Sequence, residues 1–167
     1  RQARQLTGRA HLASWLVICA MSALALGAAN SLANQKVDQR TVLNDQTWQP
    51  FKLAAIADEI AKGRVVFVDV TADWCLSCKI NKSLVLERTE VARRLSTSAV
   101  TAMKADWTMP DPRISAYLSS FGRYGIPFNA VYGPGAPAGI VLPELLTTGI
   151  VIEAISRAAR SATAATN

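Results

Sequence analysis

One histidine, three cysteines and no glycine-rich phosphate motif set the first limits on this 167-residue chain. A structural zinc site needs four ligands. The lone histidine, His11, is far from Cys75 and Cys78 in sequence and sits at the edge of an apolar segment, so a zinc site within one chain is disfavoured. There is no Gly-x-Gly-x-x-Gly or phosphate-loop sequence, which leaves nucleotide chemistry without support. No internal repeat is visible. The formal net charge of +6 comes from 18 basic and 12 acidic side chains, but the basic residues are scattered among acids rather than gathered on one stretch. Nucleic-acid binding is therefore not expected. The chain opens R-Q-A-R without an initiator methionine, which reads as a piece of a longer protein. The length corresponds to about one domain.

What is present begins with Ala10 to Ala29, twenty residues without Asp, Glu, Lys or Arg. At ~1.5 Å per residue such a helix just crosses a ~30 Å hydrocarbon core. Arg1, Arg4 and Arg9 precede it and no basic residue follows it closely, so the charge bias leaves the N-terminus in the cytoplasm and exports the remainder. A signal peptide cleaved near Ser31-Leu32-Ala33 is the competing expectation, and it also exports the rest. A helix buried in a soluble fold is the third. Cys19, inside this segment, reads as a small apolar side chain. The division expected is a cytoplasmic flank over 1–9, a membrane helix over 10–29, a polar linker over 30–47, a folded domain over 48–160 and a frayed tail over 161–167.

The folded part is organised around Asp69 to Lys82, D-V-T-A-D-W-C-L-S-C-K-I-N-K. Val65 to Val70 is too continuously apolar for a strand with one wet face, so it is expected at the centre of a sheet with helices on both sides. Cys75-Leu76-Ser77-Cys78 follows at a strand-to-helix junction. Cysteines three apart at a helix start can close a short disulfide, and the free N-H groups there stabilise a thiolate on Cys75. Lys79 and Lys82 add positive charge nearby.

Before this motif, Pro50 is placed in the first turn of a helix with Leu53, Ile56 and Ile60 on one face, stopped by Gly63. After it, Ile80, Leu84 and Val85 supply an inward face, and Thr89 caps a short helix burying Val91 and Leu95. Ala99 to Asp106 reads as a second strand. Asp111-Pro112 caps and begins a helix with Ile114, Tyr117, Leu118 and Phe121 at i, i+3, i+4 and i+7. Pro127 leads into a strand, Gly133 to Gly139 forms a turn or loop, Ile140 to Leu142 returns, and Leu145 to Thr147 makes a last edge segment. Thr148 to Arg160 closes the domain as a helix on Val151, Ile155 and Ala158. The fold class is α/β, with a small mixed sheet between helices. Trp48, Trp107, Tyr117, Phe121 and Phe128 read as core or rim aromatics. Asp106 and Asp111 are a conceivable metal pair that capping and turn formation explain more simply.

D-V-T-A-D-W-C-L-S-C-K together with the later G-I-P resembles the thioredoxin superfamily, over roughly Trp48 to Arg160. A-D-W-C-x-x-C-K with a later A-D-W-T at Ala105 to Thr108 resembles the C-terminal exported domain of the transmembrane thiol:disulfide interchange (DsbD) family. Y-G-I-P-F-N-A-V-Y and V-L-P-E-L-L-T are similar to the related suppressor of copper sensitivity (ScsB) family. The resemblance implies a thioredoxin-like fold with Cys75 as the exposed attacking cysteine and Cys78 as the more buried resolving one. Asp69 is implied as the buried acid assisting Cys78. Pro127 is implied to form a cis bond with Ile126 facing the dithiol, and Trp74 to flank the first cysteine. Asp73, near Trp74, is the alternative acid, for charge tuning. Leu76-Ser77 is neither the Gly-Pro of ordinary thioredoxins nor the Pro-His of the strong periplasmic oxidant, and the Gly133 to Gly139 loop is longer than the interchange family's turn. No cofactor is implied beyond the redox-active pair.

The chemistry expected is dithiol-disulfide exchange. The Cys75 thiolate attacks a substrate disulfide, and Cys78 resolves the mixed disulfide. Asp69 accepts the Cys78 proton if burial has raised its pKa. The oxidised pair is then reduced again by a transmembrane thiol donor. The families it resembles imply an inner-membrane protein whose catalytic domain faces the periplasm. Their recipients are the interchange protein's own N-terminal domain, feeding isomerases and cytochrome c maturation, or a dedicated thiol partner in copper tolerance. The alternatives are a free-standing periplasmic oxidoreductase and a Cu(I)-binding or copper-sensing module that uses the two cysteines as soft ligands.

Overall fold

The computed structural model describes residues 48–160. The expected membrane helix over 10–29, with His11 and Cys19, the linker over 30–47 and the tail over 161–167 lie outside the described residues. Among the described residues no helix is long and apolar enough to cross a membrane.

In chain order, β1 is Trp48–Pro50, α1 Leu53–Ala61, β2 Val65–Thr71 and α2 Leu76–Asn81, which widens into a π turn over Lys82–Leu86. Then come α3 Thr89–Leu95, β3 Val100–Asp106, α4 Pro112–Ser120, β4 Phe128–Gly133, β5 Ala136–Val141 and α5 Thr148–Ala159. The sheet order is β1-β3-β2-β4-β5. β1 and β2 run parallel to β3, while β4 runs antiparallel to both β2 and β5. The uninterrupted apolar run of β2 therefore lies at the centre, as its composition demands.

Alternation along β2 divides the core in two. Val66, Val68 and Val70 pack against Ile56 of α1 and Ile114, Tyr117 and Leu118 of α4. Val65 and Phe67 face the other way, onto Val85, Leu86, Val91 and Leu95 and onto Val151 and Ile155 of α5. Helices cover both faces of the mixed sheet, so the α/β thioredoxin-like architecture expected is the one found. Asp111 caps α4 by accepting from the Arg113 N-H at 2.8 Å, with Pro112 in the first turn. Gly63, at φ +77°, ends the chain reversal after α1 in a conformation that favours glycine.

Five local expectations are corrected. Pro50 closes a three-residue edge strand rather than opening a helix. A proline fits an edge, and the chain stays on β3 through the Phe51 N-H, which donates to the Lys104 carbonyl at 2.9 Å. α1 starts at Leu53, which is exposed, with Lys52 as N-cap. The inward face of the dithiol helix is Cys78, Asn81, Val85 and Leu86, while Ile80 and Leu84 are exposed. A polar residue holds one inward position, so apolar spacing alone selects the wrong stripe.

Thr89 is the first residue of α3 and makes no cap, Arg88 standing at the N-cap position. Most of the expected Gly133 to Gly139 loop is strand, because β5 begins at Ala136 and the turn is only Gly133 to Ala136. A Cβ on Gly133 or Gly135 would collide with carbonyls at the end of α5, and the Gly135 N-H donates to the Ala158 carbonyl at 2.9 Å. The turn is short because it seats on a helix end. Leu145 to Thr147 is not a strand but a loop pinned by Asn81, and Thr147 caps α5 by accepting from the Ile150 N-H.

Candidate active site

β2 delivers the chain from the sheet centre to its rim, where Ala72 to Trp74 lead into Cys75, the N-cap of α2. Cys75 and Cys78 are joined by a disulfide, with their Cα atoms 5.3 Å apart. The Cys78 N-H donates to Cys75 Sγ at 3.2 Å, and the Ser77 hydroxyl lies 3.6 Å from the same sulfur. Donors aimed at Cys75 Sγ favour its thiolate once the bond is reduced. Both cysteines are 4% accessible, so Cys75 is not the more exposed of the two as expected. Ala72 and Ile126 pack against the pair. Position, not exposure, distinguishes them: Cys75 precedes the helix and Cys78 lies within its first turn.

The peptide bond between Ile126 and Pro127 is cis, and Pro127 is buried. Since Ile126 packs on the cysteines, the start of β4 lies beside the disulfide. Trp74 and Leu76 flank the pair and are 62% and 72% exposed. Asp73 and Lys79 are also exposed.

The A-D-W-T segment, Ala105 to Thr108, holds the A-D-W-C segment, Ala72 to Cys75, in place. The Thr108 hydroxyl donates to Asp106 Oδ1 at 2.6 Å and accepts from the Asp73 N-H at 2.9 Å. Trp74 Nε1-H donates to the Thr108 carbonyl at 3.3 Å, the Trp107 N-H donates to the Thr71 carbonyl at 2.7 Å, and the two indoles lie 6.4 Å apart. The Thr108 hydroxyl and N-H hold the Asp106 carboxyl below its ordinary pKa. Asp106 and Asp111 are thus occupied by a turn and a helix cap. In the sequence, the repeated A-D-W at Ala72 to Trp74 and Ala105 to Trp107 is the signal for the bracing role of Thr108.

Three polar residues stand in register across the central strands: Lys104 on β3, Asp69 on β2 and Asn129 on β4. Asn129 Nδ2-H donates to Asp69 Oδ1 at 2.8 Å. Burial pushes the Asp69 carboxyl up to about 6, against the opposing hydrogen bond from Asn129 and the positive charges of Lys104 and Lys82. A carboxyl poised near neutrality can take and return a proton. Asp69 shares its face of β2 with Phe67, the face that Val85 and Leu86 cover from the dithiol segment. Asn129 was missed in sequence because an asparagine inside an apolar strand carries no pattern of its own. Among the described residues, no group of three or more His, Cys, Asp or Glu side chains is placed to hold a metal.

Comparison with known proteins agrees with this geometry. Residues 47–134 match a family model described as thioredoxin-like. The chain is 33% identical over 82 residues to thiol:disulfide interchange protein DsbD 1 of Pseudomonas aeruginosa, which covers 49% of this chain and 14% of that protein. It is 31% identical over 123 residues to the DsbD of Ralstonia nicotianae, covering 69% of this chain and 19% of that one. The chain thus spans less than a fifth of these relatives. Among solved structures, the oxidised C-terminal domain of Neisseria meningitidis DsbD superposes with a TM-score of 0.51 at 24% identity, over 63% of this chain and 90% of that domain. The first thioredoxin domain of mouse protein disulfide-isomerase A4 gives 0.51 at 13% identity, over 70% of this chain and 78% of that one. These two likenesses are of fold.

Proposed function

The chain belongs to the thioredoxin-like family, and from that premise we propose that it is the electron-delivering domain of a membrane thiol:disulfide relay of the DsbD and ScsB kind. Its disulfide in a thioredoxin fold supports protein-disulfide reductase activity, with the cysteine pair as the redox group. The carrying observation is the Cys75–Cys78 disulfide at the strand-to-helix junction, packed on Ile126 of the cis Ile126–Pro127 bond. The partial identity to two DsbD proteins supports the relay assignment.

In this proposal a thiol pair in a transmembrane domain reduces the disulfide by exchange. The Cys75 thiolate then attacks a sulfur of the recipient's disulfide, forming a mixed disulfide and releasing the recipient's other sulfur as a thiolate. Cys78 gives its proton to Asp69 and attacks Cys75 Sγ, so the recipient leaves with both electrons and the Cys75–Cys78 bond re-forms. Pro127 and Ile126 present backbone on which a recipient strand can lie. Trp74 and Leu76 offer apolar contact, while Asp73 and Lys79 set the local charge. The segment 10–29 tethers the domain to the inner membrane with the dithiol in the periplasm, where the recipients are thiol:disulfide proteins of thioredoxin fold.

The test is the equilibrium reduction potential of the pair against a glutathione series. A value nearer the roughly −270 mV of thioredoxin than the roughly −120 mV of a strong oxidant is expected. A strongly oxidising value would reverse the proposed direction of electron flow. In parallel, Cys78→Ser should accumulate a mixed disulfide through Cys75, which Cys75→Ser should not.

A further inference from the structure

Every residue of β4 is buried, and all but one are apolar, aromatic or glycine. The exception, Asn129, is 1% accessible. Its Nδ2-H donates to Asp69 Oδ1 at 2.8 Å, while its own Oδ1 is buried and meets no hydrogen-bond donor among the described residues. A half-satisfied buried amide is unfavourable for packing, and a leucine would fill the same strand position without an orphaned carbonyl. Stability therefore does not account for the residue. Its one side-chain hydrogen bond among the described residues goes to the Asp69 carboxylate.

We propose that Asn129 is a positioning residue for proton transfer at Cys78, its amide holding the ionised Asp69 carboxylate in place to accept the thiol proton. This rests on the role given to Asp69 above. The transfer moves a proton from Cys78 Sγ to an Asp69 oxygen, and the Cys78 thiolate then attacks Cys75 Sγ and expels the recipient sulfur as a thiolate. The other charged groups that act on Asp69 come from two directions. Lys104 lies beside it on β3, with its Nζ 3.2 Å from Asp106 Oδ2. Lys82 approaches from the π turn, with its Nζ 3.8 Å from Glu87 Oε1. Both lysine side chains are substantially exposed and their charge is screened, whereas Asn129 acts by direct contact inside the sheet.

An N-H donor favours the charged form of a carboxyl, so removing it raises the pH at which Asp69 ionises. The experiment follows the Asp69 side-chain carboxyl carbon by NMR titration of the oxidised full chain, together with the pH dependence of single-turnover reduction of a peptide disulfide. Asn129→Leu should raise both midpoints by about one pH unit, and the rate deficit should vanish at high pH. Asn129→Ala should shift them in the same direction and serves if the leucine variant does not fold. In an Asp69→Asn background, Asn129→Leu should have no further effect on the profile. Unchanged midpoints in folded Asn129 variants, with Asp69→Asn having removed the acid limb, overturn the role of Asn129 alone. An acid limb that survives Asp69→Asn overturns the role of Asp69, and this inference with it.

Discussion

The two faces of β2 begin alike and end differently. On one, Val66, Val68 and Val70 keep an apolar surface against α1 and α4 as far as the rim. On the other, Val65 and Phe67 are followed by Asp69 and Thr71, neither of them fully buried. The same backbone and the same sheet thus support a dry face and one that turns polar toward the C-terminal end of the strand. Asp69 gains a neutral form from burial at the expense of stability when ionised. The strand itself would be better served by another valine, and the proton-transfer role proposed for Asp69 would account for the residue.

The comparison breaks most strongly at Phe67, which is fully buried and meets Trp48 edge-on at 6.0 Å. Phe67→Ala should cost about 3–5 kcal/mol in denaturant unfolding. Because it lies in the dry part of its face, the reduction potential of the surviving folded protein should stay at the wild-type value. A potential that moved with Phe67 would mean the two parts of this face are not separable.

The next effect is carried by Asp69. Its carboxyl titrates near 3.8 when unfolded and at about 6 when folded, so the native state holds the extra proton. Stability linked to this group is fully present below the unfolded value and is lost as pH rises to about 6, after which it is flat. The difference amounts to at most about 3 kcal/mol. Asp69→Leu should abolish that fall and make the protein more stable than wild type at pH 7, while slowing resolution by Cys78. Unfolding curves at pH 4 and pH 7 check the first statement. Equal stability changes at both pH values would contradict it.

The central strand, the dithiol junction and the proline-led strand were legible because each rests on local chemistry: a continuous apolar run, cysteines three apart, and a residue unable to donate in a ladder. The misread features depend on contacts distant in sequence. β1 is too short to show alternation, and its pairing with β3 becomes visible only when Trp48 is placed opposite Ala102. The turn at Gly133 to Ala136 is set by the end of α5, more than twenty residues later. Cys75 was expected to be exposed by resemblance, and part of its cover comes from Ile126, about fifty residues on. Asp69 could be named from its place on the strand, but its partner Asn129 required the register of β2 against β4.

Two buried asparagines sharpen the contrast at the smallest scale. Asn81, on α2, is fully employed: its Nδ2-H donates to the Glu144 carbonyl at 2.7 Å and its Oδ1 accepts from the Leu146 N-H at 3.0 Å. It does for the loop before α5 what backbone pairing would do, letting Leu142 and Leu146 stay buried without a strand between them. Asn129 is half employed, and its single recorded partner is Asp69. Satisfaction by main-chain groups marks a structural asparagine; attachment to the Asp69 carboxyl is what distinguishes the one proposed to serve the reaction. Asn81→Leu should therefore cost about 1–3 kcal/mol by stranding two main-chain groups, yet leave the pH midpoint of disulfide exchange in place. Measured beside Asn129→Leu, the two substitutions should separate into one that moves stability alone and one that moves the midpoint; a shifted midpoint in the Asn81 variant would dissolve the distinction.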